Sequence, residues 1–221
     1  MKARIFKGVR WLGALALLIS VPSWADRAGK YEFTFQVPYL YGETFEFEGD
    51  ASASINSDPG FGFSAGYNYS DHLTFRGNFT WNDTGYNAER VLDDGANTRQ
   101  PVSGVMDTFS ASASLDYNLL RGAFTPFVNA GVGWAAVDSN IASGPPEGVC
   151  WWDPWWGYIC NNYQPTYTAD TFAYSLGAGL RLDLNQRMFL RLGYYERWLD
   201  LDRAQGTTSL GSTVFEFGFM H

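Results

Sequence analysis

The residues best equipped for chemistry crowd into one stretch, Cys150-Trp151-Trp152-Asp153-Pro154-Trp155-Trp156-Gly157-Tyr158-Ile159-Cys160, which contains both cysteines of the 221-residue chain. Two cysteines so placed can form a disulfide, stay as free thiols or ligate a metal. No histidine neighbours them to complete a zinc site, and in an exported protein a disulfide is the leading reading. In the chain-entropy model that bridge restrains the unfolded loop by about 2.5 to 3 kcal/mol. The closed ring would hold Trp151, Trp152, Trp155, Trp156 and Tyr158 in few positions, a surface suited to a sugar face, an apolar ligand or another protein. The plainer alternative is that the rings pack on one another and on the rim of their own domain.

Catalytic sets are poorly served. Only two histidines exist, His72 and His221. His72-Leu73-Thr74 faintly resembles a His-x-Ser pair, but a histidine in a turn needs no catalytic explanation. The expectation is no catalytic, cofactor-binding or metal-ligating residues, and no enzyme. A second group, Glu32, Arg76, Asp116, Arg181, Asp183, Arg191, Arg197 and Glu216, holds four charges of each sign, all turned to one side by the alternation described next. That balance favours internal pairing; the alternative is a selectivity lining or a gate.

Strands must position these groups. Large apolar residues recur with a period of two, as in Phe61, Phe63, Ala65, Tyr67 and Tyr69 set against Gly62, Ser64, Gly66 and Asn68. The alternation covers 31–48, with interruptions near Pro38 and Gly42, then 61–69, 73–82, 105–118, 125–137, 171–183, 187–199 and 209–221. The second face carries Gly, Ser, Asn, Arg and Glu in segment after segment, too polar for a dry core. The segments therefore predict an inverted barrel, apolar outside and polar inside. Short turns follow the second, fourth and sixth strands, Gly122 being available there for a positive φ. Long polar loops, including 83–104 and 138–170, follow the odd strands. Both ends of the domain then lie on the short-turn side. An eight-stranded interior is only wide enough for its own side chains, so the eight charges are expected to fill it.

The N-terminus supplies the compartment. Lys2, Arg4, Lys7 and Arg10 precede an apolar run from Trp11 to Val21, and Ser23-Trp24-Ala25 offers small residues before Asp26. Residues 1–25 are expected to be a cleaved leader, the apolar run being too short for the roughly 20 residues that span a bilayer. The leader holds four of the 15 Lys and Arg and none of the 23 Asp and Glu, so 26–221 carries 11 against 23, a net charge of −12. Those numbers argue against nucleic acid as a partner.

With this organisation the chain resembles the small eight-stranded bacterial outer-membrane β-barrels of the OmpA/OmpX/OmpW type. The likeness spans 26–221 and is strongest in Phe61-Gly-Phe-Ser-Ala-Gly-Tyr-Asn-Tyr-Ser-Asp-His-Leu73, with its glycine-rich strand, GYN sequence and short turn. It implies an all-β, antiparallel up-and-down barrel in the outer membrane, in contact with lipid and lipopolysaccharide. It also implies recognition by the assembly machinery, which reads a terminal aromatic residue; here His221 stands in phase with Phe215, Phe217 and Phe219. The expected role is a filled barrel displaying loops for structural, interaction or adhesion purposes, with an extracellular ligand on the long loop. The alternative is a narrow, porin-like conduit for small solutes.

Overall fold

A computed structural model describes residues 26–46, 52–91, 99–142, 145–199 and 208–221. Among them run β1 (Tyr31–Leu40), β2 (Thr44–Glu46), β3 (Ser52–Ile55), β4 (Phe61–Asn68), β5 (Leu73–Val91), β6 (Arg99–Asn118), β7 (Phe124–Ala142), β8 (Glu147–Asp153), β9 (Gly157–Tyr163), β10 (Thr166–Asp183), β11 (Met188–Leu199) and β12 (Thr208–Met220). The expected leader and the turn expected around Gln205 and Gly206 lie outside the described residues.

Eight of these strands close on themselves. β1 pairs with β4, then the ring runs β5, β6, β7, β10, β11 and β12 back to β1, every pairing antiparallel. The fold is the eight-stranded antiparallel up-and-down barrel that the alternation predicts. At the seam Phe33 stands opposite Phe219 and Phe35 opposite Phe217, while Tyr31 and His221 exchange backbone hydrogen bonds at 2.8 and 2.9 Å. A closed ring leaves no edge, so its ladder groups pair without water, the condition a bilayer imposes.

Because side chains alternate across the wall, register also sorts them chemically. Phe33, Phe35, Phe79, Val132, Leu176 and Leu192 point outward and are exposed. Tyr31, Tyr67 and Tyr117 gather near the short turns, and Tyr39, Trp134, Tyr174 and Tyr194 towards the long connections. Two such belts flank the apolar band of a transmembrane barrel. Beyond the upper belt the outward row becomes Asp83, Asp107 and Asp138, register neighbours on β5, β6 and β7. Hydrocarbon contact ends there. Lost hydration and the adjoining Asp83 carboxylate push the Asp107 carboxyl above its ordinary range.

Three expectations change. The first strand does not run through 31–48: β1 stops at Leu40 and β2 pairs with β3. Pro38 stays within β1 because its missing N–H faces a side where the β4 ladder has ended. On that side Leu40 N–H donates to Asp58 O and Pro38 O accepts from Gly60 N–H. Second, the loops expected at 83–104 and 138–170 are largely strand. β5 and β6 stay paired as far as Val91 and Arg99, β7 and β10 as far as Ala142 and Thr166, and β8 with β9 makes a hairpin between them. Past the membrane the outward face meets water while Thr84 and Tyr86 on the inner face of β5 stay buried, so the outward apolar row that bounds the strands in sequence stops before the ladder does. Third, Gly122 does not adopt a positive φ; Gly29 and Gly157 do, both at 77°.

Candidate functional site

Four of the expected charges meet in mid-lumen. Arg76 on β5 donates to Glu216 on β12 at 2.8 Å and to Asp116 on β6 at 3.4 Å. Arg191 on β11 donates to Asp116 at 2.6 Å and lies 3.9 Å from Glu216. Asn129 donates to Asp116 at 2.5 Å, Tyr195 to Glu216 at 3.2 Å, and Arg76 also reaches the hydroxyls of Thr34 and Ser64. None of the four charged side chains is more than 2% exposed. Desolvation offsets much of their attraction, so the cluster fixes register and fills the lumen more than it adds net stability. The Arg191 guanidinium stacks 4.0 Å from the centre of the Phe127 ring. Gly179 makes room for that ring: a Cβ there would stand 2.7 Å from Phe127 Cζ and 2.3 Å from Leu192 O.

A second cluster lies nearer the short turns. Arg181 on β10 pairs with Glu32 on β1 at 2.7 Å and with Asp183 at 2.8 Å, its guanidinium 4.1 Å from the Phe189 ring centre. The cluster is completed by Arg27, a residue outside the expected set. Arg27 meets Asp183 at 2.6 Å and donates to the carbonyls of Asp71, Leu120 and Gly122 at 3.2, 3.2 and 2.7 Å. Asp71 belongs to the β4–β5 turn, Leu120 and Gly122 to the β6–β7 turn, and Asp183 leads into the β10–β11 turn. One fully buried guanidinium thus ties three connections together. Burial lowers its proton affinity and Asp183 opposes that shift. His72 serves the same region: its Nδ1 meets Asn118 O at 2.6 Å and its Nε2 accepts from Arg121 at 3.1 Å.

Arg197 corrects the expected network. It faces inward but joins neither cluster, because along β11 it stands about 20 Å beyond Arg191 at roughly 3.4 Å per residue, further than its side chain reaches. It donates instead to Ser110 on β6 at 3.0 Å. Among the described residues it makes no ion pair. The inferred balance of four bases and four acids is kept with Arg27 in its place.

The β8–β9 hairpin forms a two-stranded sheet of its own. Cys150 faces Cys160 in register and a disulfide joins them; Trp152 faces Tyr158 and Trp151 faces Ile159. Asp153 Oδ1 accepts the backbone N–H groups of Trp155 and Trp156 at 2.8 and 2.9 Å, and Gly157 completes the turn with its positive φ. Trp152, Trp155, Trp156 and Tyr158 are 74, 87, 80 and 68% exposed, and Trp151 is 42% exposed. A lone hairpin is marginal in water. Replacing Cys150 and Cys160 with Ser is therefore expected to leave the barrel's migration in SDS unchanged. Hydrogen exchange across β8 and β9 should rise by about two orders of magnitude, matching a restraint of about 2.5 to 3 kcal/mol. Mass spectrometry of exchanged peptides measures it, and unchanged exchange would show that the turn alone holds the hairpin.

Eight antiparallel strands closed in a ring, belted and apolar outside, charged and hydrogen-bonded inside, with every long connection at one end, define a small β-barrel of the bacterial outer membrane. The model of the family described as outer membrane protein beta-barrel domain matches residues 12–220, and the chain belongs to that family. Among solved structures it is similar to the outer membrane protein OprG of Pseudomonas aeruginosa, with 13% identity over 90% of this chain and 98% of that one and a TM-score of 0.51. It is also similar to Ail, the attachment invasion locus protein of Yersinia pestis, solved in complex with the heparin analogue sucrose octasulfate. There identity is 13%, coverage 88% of this chain and 99% of that one, and the TM-score 0.48. For Neisserial surface protein A the corresponding values are 14%, 87%, 97% and 0.48. At such identities the likeness is one of fold. No curated protein sequence matches the chain.

Proposed function

We propose that this barrel is a closed scaffold that displays the Cys150–Cys160 hairpin on the cell exterior as a contact surface, after export with 1–25 as a leader and 26–221 as the barrel domain. The observation that carries the reading is the exposure of Trp152, Trp155, Trp156 and Tyr158 on a cross-linked sheet. Large rings held in a fixed frame bury much area at little cost in conformational entropy, which is what an adhesive surface needs. The two ion clusters support a scaffold over a conduit, since they occupy the lumen that a solute would cross. No catalytic role is assigned to either histidine: His72 and His221 both lie at the short-turn end, away from the exterior.

The test is adhesion of bacteria displaying the wild-type protein or the Trp155→Ala/Trp156→Ala variant to panels of immobilised glycans, matrix proteins and lipopolysaccharide. Loss of the two exposed rings is expected to reduce retention on the recognised surface at least about tenfold, the scale of a central interface anchor. Equal retention of the variant on every surface bound by the wild type would reduce the hairpin to a folded loop tip.

A further inference from the structure

Above the mid-lumen cluster the barrel opens into a vestibule towards the long connections. Its floor is Arg76 and Glu216, and its wall includes Asn78, Asn82, Ser112, Ser175, Tyr195 and Arg197. The cavity volume is about 70 Å³. One water needs roughly 10 to 15 Å³ by the same kind of measure, so the space suits a few waters or one small polyatomic ion, not a sugar chain.

The charges around it do not cancel. Below, Arg27, Arg76, Arg181 and Arg191 are matched by Glu32, Asp116, Asp183 and Glu216. Glu216 at the floor is engaged by Arg76 at 2.8 Å and Tyr195 at 3.2 Å. Arg197 is therefore the surplus charge of the described lumen, with Ser110 as its neutral partner. A second donor stands beside the cavity: Asn82 lines the same wall, and its Nδ2, packed next to Gly60, has no hydrogen-bond acceptor. An uncompensated guanidinium and an unused amide donor, in a narrow cavity where the hydroxyls of Ser112, Ser175 and Tyr195 stand among Leu40, Leu210 and Val214, complement a compact anion with several acceptor oxygens.

We infer that the vestibule is an oxyanion site, in which Arg197 and Asn82 bind a phosphate-sized anion, free or carried on a small solute, that enters from the exterior. The serines of the wall supply further donors. This site lies inside the barrel and is independent of any contact made by the β8–β9 hairpin.

The experiment titrates the folded barrel, in octyl glucoside micelles and phosphate-free buffer, with inorganic phosphate and separately with glucose 6-phosphate, by calorimetry. Saturable binding is expected. Arg197→Met should weaken it at least about tenfold, the scale of one lost charge-assisted hydrogen bond. Asn82→Ala should weaken it less, and Ser110→Ala, which frees the guanidinium, should leave it equal or tighter. Binding of phosphate alone assigns the site to the free ion; tighter binding of the sugar phosphate assigns it to a phosphorylated solute. Absence of saturable binding, or binding undiminished in a folded Arg197→Met barrel, overturns the site. If Arg197→Met does not fold, the other two variants decide: weakening by Ser110→Ala with no effect of Asn82→Ala overturns it equally.

Discussion

Replacing Arg76 with Met is expected to lower the unfolding free energy of the barrel by about 3 to 5 kcal/mol, the usual cost of stranding one member of a buried ion pair. The stranded group is Glu216. Without Arg76 it keeps Tyr195 at 3.2 Å and Arg191 only at 3.9 Å, whereas Asp116 retains Arg191 at 2.6 Å and Asn129 at 2.5 Å. Two consequences separate this account from a general loss of packing. Arg191→Met should cost less, since Asp116 then still has Arg76 and Asn129. The double variant Arg76→Met/Glu216→Gln should recover part of the loss by removing the orphaned charge. Urea titration of the folded barrel, followed by its migration in SDS, measures all three. In planar bilayers the wild type and Arg76→Met are both expected to pass no steady current. An Arg76→Met barrel of unchanged stability that conducts would make the cluster a gate and restore the conduit reading.

Replacing Arg27 with Ala should cost about 2 to 4 kcal/mol and loosen three turns at once. Asp183 would keep Arg181, so the ion-pair loss is partial, but the carbonyls of Asp71, Leu120 and Gly122 would lose a common donor. Lys should rescue little, because one ammonium cannot reproduce a planar fork that addresses four acceptors in different directions. Hydrogen exchange reads the effect directly: amides of the β4–β5, β6–β7 and β10–β11 turns should speed up together. Faster exchange confined to 26–30 would mean that each turn is held by its own contacts and that Arg27 merely rests among them.

Much of this was legible in sequence wherever the bilayer imposes its own chemistry. Phe61, Phe63 and Tyr67 must meet lipid, so their alternation with Gly62, Ser64 and Asn68 is forced, and the strand follows from it. Where lipid is absent the signal fades. β5 continues to Val91 because its ladder with β6 persists, yet its outward face there, with Asp83 and Asn87, carries no apolar row. The lumen charges were readable as a set because each shares the phase of small polar neighbours, but partners were not, since pairing depends on height around the ring. Arg197 shows it, being in phase with Arg191 and far above it. Phe127 and Phe189 were missed for the opposite reason: they are apolar residues in the polar phase, and the cue was the inward glycine that gives each ring space, Gly179 and Gly218. Arg27 gave no periodic signal, lying before the first strand.

The continuation of the wall beyond the membrane has a consequence for how this surface can vary. β5 and β6 have 19 and 20 residues, about 60 Å of strand at roughly 3.3 Å per residue, while about 9 to 11 residues suffice to cross the bilayer. About half of each strand is therefore a stilt standing beyond the bilayer, held together by backbone hydrogen bonds, with Thr84 and Tyr86 of β5 still buried on its inner side. Within the bilayer a substitution must satisfy lipid on one side and a crowded interior on the other. On the outer face of the stilt it must satisfy neither. That outer face can thus be rewritten, one side chain at a time, without disturbing the ring that anchors it.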